Sequence, residues 1–129
     1  MFKDAPAFSS FSVDDLEKAK AFYGETLGLE VAENPYMGLT INLAGGMKIY
    51  VYPKEDHQPA TFTVLNFSVE DIDKAVDELK TRGVVFEQYE GEMQTDEKGI
   101  ARSGSKEMPD IAWFRDPAGN FLSVSNGTL

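Results

Sequence analysis

Residues 11–19 read FSVDDLEKA, and residues 67–75 read FSVEDIDKA. Six of the nine positions are identical, and the other three exchange Asp with Glu or Leu with Ile. A strand-to-helix junction that recurs 56 residues later in a chain of 129 points to one domain, residues 1–129, built from two copies of one supersecondary unit. Each copy carries its own start and stop signals. Ser12 and Asp15, and again Ser68 and Asp71, are spaced as in a capping box, with acidic residues filling the first turn. In the first copy the spacing predicts a helix from about Asp14 to Leu27, with Leu16, Ala19, Phe22, Tyr23 and Leu27 on one stripe and Gly28 at a left-handed C-cap. Ile72, Ala75, Val76, Leu79 and Gly83 repeat that pattern in the second.

Strand-like runs flank both helices. Ala7 to Phe11 and Thr61 to Phe67 precede them. Glu30 to Ala32, Leu39 to Leu43 and Met47 to Tyr52 follow the first, and Val84 to Tyr89, Asp110 to Arg115 and Phe121 to Ser125 follow the second. Both last strands come after glycine turns, and aligning Gly46 with Gly119 sets Ile49 against Leu122 and Val51 against Val124. Each half therefore reads β-α-β-β-β. The fold class is α+β, with a first module at about residues 5–53, a polar linker at 54–59 ending in proline, and a second module at about 60–126.

Composition narrows the functional classes. The chain is 42% hydrophobic and 26% charged, as expected of a globular domain, and its zero cysteines exclude disulfides, thiolate metal sites and cysteine nucleophiles. Twelve basic against twenty-two acidic residues give a net charge of −10, which repels phosphate backbones and anionic membranes and serves either solubility or the attraction of a cationic ligand. No signal-like apolar segment opens the chain, and no run approaches the roughly 20 apolar residues of a membrane span. A cytoplasmic protein without nucleic-acid or membrane partners is expected.

The repeated module, the D-L-x-K-A-x-x-F-Y pattern from Asp15 to Tyr23, and the closing Trp113-Phe-Arg-Asp-Pro-Ala-Gly-Asn120 together resemble the vicinal oxygen chelate superfamily. That superfamily includes glyoxalase I, extradiol dioxygenases, fosfomycin-resistance enzymes and bleomycin-resistance proteins. The resemblance covers roughly residues 5–126. It implies two modules, each curling a mixed four-stranded sheet, that form a cup, often completed by a homodimer; it does not imply one reaction.

Metal-using relatives place ligands five residues before the junction valine and four residues after the turn glycine. By resemblance these positions map to Phe8, Val64, Tyr50 and Ser123. Phe and Val offer no lone pair, and neutral Tyr or Ser hydroxyls bind a divalent cation weakly. Windows 5–13, 46–53, 60–68 and 119–127 hold no His, Asp, Glu or Cys, so a slip of register does not restore the set. No metal or other cofactor is expected. Glu55, Asp56 and His57, adjacent on the linker, are poorly disposed to converge on one ion.

With the ligands gone, alternation along the strands places Phe8 with Ser10, Tyr50 with Tyr52, Phe62 with Val64 and Asn66, and Phe121 with Ser123, on shared faces. Trp113 precedes the Asp-Pro turn by three residues, where an aromatic lines the cup in several ligand-binding relatives. Phe8, Tyr50, Tyr52, Phe62, Val64, Trp113, Phe121 and Ser123 are the expected ligand-binding residues; the other reading of these rings is a cup closed on its own side chains. The polar stretch from Gln88 to Met108 reads as a solvated acidic loop or as a flap that brings Glu90, Glu92 or Arg102 to a ligand.

No nucleophile elbow, Walker loop, zincin motif or dinucleotide fingerprint is present, and no catalytic residue is assigned. The expected function is metal-independent binding of an aromatic, amphipathic or cationic small molecule, similar to the drug-sequestering bleomycin-resistance branch. The alternatives are a glyoxalase-like lyase, isomerase or dioxygenase-like enzyme using Tyr50, Tyr52 or a flap carboxylate, or a metal held by other ligands. A domain that only dimerises or regulates a partner is a third.

Overall fold

Asp15 and Asp71 cap the two helices, in place of the predicted Ser12 and Ser68. The structure, a computed structural model, describes residues 1–128. Both aspartates have extended backbones, and their carboxylates accept the N–H groups of Lys18 and Lys74, each at 3.1 Å. A carboxylate answers the exposed donors and the positive end of the helix at once, which a serine hydroxyl does only in part. The two serines bond elsewhere: Ser12 shares a 2.7 Å hydrogen bond with His57, and Ser68 donates to the Gly127 carbonyl at 2.6 Å.

Helix α1 covers Leu16–Ala21 and opens into a π-turn at Phe22–Thr26, closed by Leu27 N–H donating to the Phe22 carbonyl at 2.9 Å. In that turn Tyr23 is wholly buried, 5.9 Å from the Phe11 ring and edge-on to Phe22 at 5.2 Å. Helix α2 covers Ile72–Thr81. Gly28 (φ 71°) and Gly83 (φ 92°) follow them in the left-handed region, as their C-cap positions require.

Two units can be described. In Met1–Pro59, strands β1 (Ser9–Val13), β2 (Glu30–Asn34), β3 (Gly38–Asn42) and β4 (Lys48–Pro53) form a sheet of order β1-β4-β3-β2. From Ala60 onward, β5 (Thr63–Ser68), β6 (Ile100–Ala101), β7 (Ile111–Arg115) and β8 (Phe121–Ser125) form a sheet of order β5-β8-β7-β6. The first strand of each pairs in parallel with the last, and the other ladders are antiparallel. The predicted equivalence holds residue by residue: Phe11 lies opposite Val51 and Phe67 opposite Val124, while Ser9 meets Ile49 and Leu65 meets Leu122.

Each helix covers one face of its sheet. In the first unit Phe11, Val13, Leu39, Ile41, Ile49 and Val51 are buried with Ala19 and Tyr23. In the second Leu65, Ala112, Phe114, Leu122 and Val124 are buried with Ile72 and Val76. The residues between them on each strand point to the opposite face.

The predicted strand at Val84–Tyr89 reduces to a single bridge between Phe86 and Phe114, and β6, inside the segment read as a loop, takes its place at the sheet edge. Ile100 and Ala101 are buried. The carboxylate of Asp96 accepts the N–H groups of Lys98 and Ile100, each at 2.9 Å, and Arg102 Nε at 3.0 Å. Arg102 also grips Asp73 of α2 through both terminal nitrogens (2.7 and 3.0 Å), and Lys98 reaches Asp73 at 2.9 Å and Asp77 at 3.0 Å. The segment is thus clasped to α2, and Arg102, read as a flap residue for a ligand, is bound to carboxylates instead.

The closing Asp-Pro-Ala-Gly-Asn is an anchor. Asp116, buried, accepts N–H groups of Ala118 (3.0 Å) and Asn120 (2.8 Å) and the Asn120 amide (3.1 Å), and Asn120 Oδ1 accepts Ala60 N–H at 3.1 Å. Replacing Asn120 by Ala leaves a buried carboxylate and an N–H short of partners, and we expect a loss of about 1–3 kcal/mol in urea unfolding. Arg102 and Lys98 hold the Asp73 carboxyl well below the usual carboxylate range. A depressed folded value contributes stability above the unfolded pKa of about 4, lost as pH falls further. The Arg102→Ala variant should accordingly show a shallower loss of urea midpoint below about pH 4 than the parent chain.

Candidate functional site

The uncovered sheet faces hold the side chains that do not enter the cores. In the first unit these include Ser10 and Ser12 from β1, Lys48, Tyr50 and Tyr52 from β4, Thr40 from β3 and Asn34 from β2, with Phe8 just ahead of β1. A hollow of about 350 Å³ opens among Phe8, Asn34, Tyr36, Thr40, Lys48 and Tyr50. Its floor is Tyr50. That ring lies over Gly38, where a built Cβ would stand 2.5 Å from Tyr50 Cε1 and 2.5 Å from the Val51 carbonyl, so only glycine admits it. The Tyr50 hydroxyl donates to the Tyr36 carbonyl at 3.1 Å, and Tyr52 stacks on Tyr50 with centroids 5.6 Å apart.

In the second unit a hollow of about 290 Å³ is lined by Phe62, Thr63, Tyr89, Met93, Trp113 and Phe121. Tyr89 meets Trp113 edge-on at 5.6 Å, and Arg115, held by Glu87 at 2.7 Å, lies 4.5 Å from the Phe121 ring centre. Burial, with Glu87 nearby, pushes the Tyr89 phenol above its ordinary value, so it is neutral at pH 7. A wider hollow of about 990 Å³ in this unit lies between Asn66, Ser68, residues 105–110 and residues 125–128. Its lining mixes Ser, Asn and Thr with charged residues of both signs, Lys106, Glu107 and Asp110, and none of the expected ligand-binding residues lines it.

The expected residues are thus distributed unevenly. Phe8 and Tyr50 line one hollow, and Phe62, Trp113 and Phe121 the other. Phe8 is 71% and Phe62 68% exposed, so neither ring closes the core of its own unit. Tyr52 supports Tyr50 from behind. Val64 does not join Phe62: a bulge between Thr63 and Leu65 breaks the expected alternation and sets Thr63 opposite Phe121. Ser123 is buried and donates to Asn66 Oδ1 at 2.5 Å, away from both hollows. Lys48 and Thr40 were legible as open-face strand positions, and Asn34 lies just past the expected second strand; Tyr36 sits in a turn, Met93 in a short 3₁₀ turn, and Tyr89 in irregular chain where a strand was expected.

The four positions where metal-using relatives hold ligands can now be compared with their surroundings. Phe8 and Val64 have no donor atom, the Tyr50 hydroxyl serves the Tyr36 carbonyl, and the Ser123 hydroxyl serves Asn66. Among the described residues no three or more His, Cys, Asp or Glu side chains gather to hold a metal ion. These residues do not fit the metal.

The sequence profile of the Glyoxalase/Bleomycin resistance protein/Dioxygenase superfamily matches residues 9–124. The chain belongs to this superfamily. Solved structures of similar fold include a genomically encoded fosfomycin resistance protein, FosX, from Listeria monocytogenes (17% identity, TM-score 0.72, covering 98% of this chain and 93% of that one). A superfamily member from Sphaerobacter thermophilus is 28% identical (TM-score 0.67; 94% and 96% covered). TnmS3, an antibiotic binding protein from Streptomyces sp. CB03234, is 24% identical (TM-score 0.66; 95% and 96% covered). A comparison with curated protein sequences gives no match. The superfamily fold accounts for the tandem modules, and its members' diverse chemistry leaves the site to be argued from this chain's own residues.

Gly38→Ala tests the packing of the first hollow. The added methyl must displace the Tyr50 ring or the β4 backbone, and we expect a loss of about 1–3 kcal/mol in chemical denaturation, with the Tyr50 ring resonances shifted and those of Trp113 unchanged.

Proposed function

We propose that this superfamily member binds an aromatic, amphipathic or cationic small molecule on its open sheet faces, without a metal. The single observation that carries the proposal is the second-unit hollow, where Trp113, Phe121, Tyr89 and Phe62 gather around one space beside Thr63. Four rings of that kind offer stacking and edge contacts to a flat ligand, and electron-rich faces to a cation. A residual hydroxyl at Thr63 supplies orientation, the usual division of labour in a ligand pocket.

Binding without turnover is supported by the chemistry of the polar groups. Tyr50 already donates its proton to a backbone carbonyl, and Asp73, Asp96 and Glu87 are engaged with Arg102, Lys98 or Arg115, so no carboxylate among these is left to act as a base. A metal is not required for sequestration, and the donor set at the four superfamily positions favours its absence. The ligand-binding residues of the proposal are Phe8, Tyr50, Phe62, Trp113 and Phe121, joined by Tyr36, Tyr89, Thr63 and Met93. Tyr52 stacks on Tyr50, and neither Val64 nor Ser123 lines either of these two hollows. The proposal includes a homodimer of single-domain chains acting in the cytoplasm on a small molecule, with neither nucleic acid nor membrane as partner. Among the described residues no helix is long and apolar enough to cross a membrane.

Titrating the purified chain with a library of flat aromatic and cationic compounds, read by Trp113 fluorescence, should yield saturable changes for some of them. Phe121→Ala should weaken those ligands by about five- to thirtyfold, the usual loss for a buried anchor. Elemental analysis of the same preparation should find no stoichiometric metal, and light scattering should return the mass of two chains. A fluorescence response that is flat across the library, or ligand binding abolished by a chelator, refutes metal-independent binding.

A further inference from the structure

The first-unit hollow is lined by hydrogen-bond donors, and it contains no acidic side chain. Asn34 has its amide fixed by the backbone, because Oδ1 accepts the Tyr36 N–H at 2.8 Å and Nδ2 therefore points at Thr40, to whose Oγ1 it donates at 3.0 Å. Thr40 Oγ1, having accepted that bond, keeps its own proton to give. Tyr50 has its hydroxyl directed at the Tyr36 carbonyl. Lys48 lies on the same uncovered face as Tyr50, and no carboxylate among the described residues comes within ion-pairing distance of its ammonium. Glu30, the open-face acid opposite Asn42 on β2, makes no ion pair with it. In a chain with ten more acids than bases, an unpaired ammonium beside three aromatic rings is an unusual juxtaposition.

Resting on the proposal that the open sheet faces bind small molecules, we infer that the hollow of Phe8, Tyr36, Tyr50 and Lys48 takes a flat aromatic molecule bearing an anionic acceptor group, of the aryl carboxylate type. The rings of Tyr50 and Phe8 supply the stacking surfaces, and about 350 Å³ accommodates a bicyclic ring system. Lys48 neutralises the carboxylate, and Thr40 Oγ–H and the second Asn34 N–H complete its hydrogen bonds. A cationic ligand would meet two donors and a like charge in the same place. Repulsion from the chain's net charge of −10 acts at long range and is screened beyond about 10 Å at 0.1 M salt, whereas the contact pair with Lys48 is screened far less. The two hollows then differ in kind, since no charged side chain lines the second.

The test uses three probes of one shape: naphthalene-2-carboxylate, naphthalene-2-methanol and 2-naphthylmethylammonium, titrated into the whole chain by calorimetry. The carboxylate should bind about tenfold more tightly than the alcohol, and the ammonium more weakly than either. Lys48→Gln should reduce the carboxylate to the level of the alcohol while the alcohol's own affinity holds, which also reports that the variant is folded; Lys48→Arg should keep the preference. Equal affinities for acid and amine, or a preference that survives Lys48→Gln, overturns the assignment. Trp113 lines the other hollow, so its fluorescence separates the two levels of the question. If Trp113 responds to the compound library while naphthalene-2-carboxylate shows no Lys48-dependent binding, the aryl carboxylate site is wrong and small-molecule binding stands. If both are silent, both fall.

Discussion

One short helix can cover only one face of a four-stranded sheet, and each half of this chain has a single helix for its sheet. That constraint orders everything else. Apolar residues at Phe11, Val13, Ile49 and Val51, and at Leu65, Leu122 and Val124, turn toward the helix, which shields them from water. Their neighbours are then committed to the other side by the pleat, whatever their chemistry. Tyr50, Lys48, Thr40 and Phe8 are brought together without being selected one by one; the phase of the buried residues places them.

The four positions that resemblance equates with metal ligands follow the same geometry. In this chain the equivalent positions carry two hydrocarbon side chains and two hydroxyls already bonded within their own unit. Loss of the ligands leaves the sheets intact, since the helix-side residues bear the packing.

Much of the fold was written in local signals. The repeated junction, the glycines at 28 and 83, and the turn glycines at 46 and 119 gave both helices and seven of the eight strands to within a few residues, together with the equivalence of Ile49 and Leu122 in the two copies. The eighth strand was hidden. Ile100 and Ala101 are two apolar residues in a run of charges, and their place in the sheet depends on Asp96 and on ion pairs from Lys98 and Arg102 to a helix some 25 residues earlier. No window of sequence shows such a dependence. The hollows were legible where alternation holds, at Phe8 with Tyr50 and at Trp113 with Phe121. Alternation fails at Val64 because a bulge is a two-residue event with no composition of its own; it is silent about Tyr36, which enters from a turn, and Tyr89 falls in irregular chain where a strand was expected. Ser12 and Ser68 were misread as caps for a simpler reason: two candidate oxygens stood near each helix start, and the charged one won.

The fastening of the linker deserves a last thought. Lys54 N–H donates to the Val13 carbonyl and His57 holds Ser12, all within the first unit, whereas Ala60 N–H is taken by Asn120 within the second. Each module therefore moors its own end of the connection, and the crossing itself narrows to Gln58 and Pro59. A cut between Gln58 and Pro59 would therefore leave each of these hydrogen bonds with both of its partners on the same side of the break.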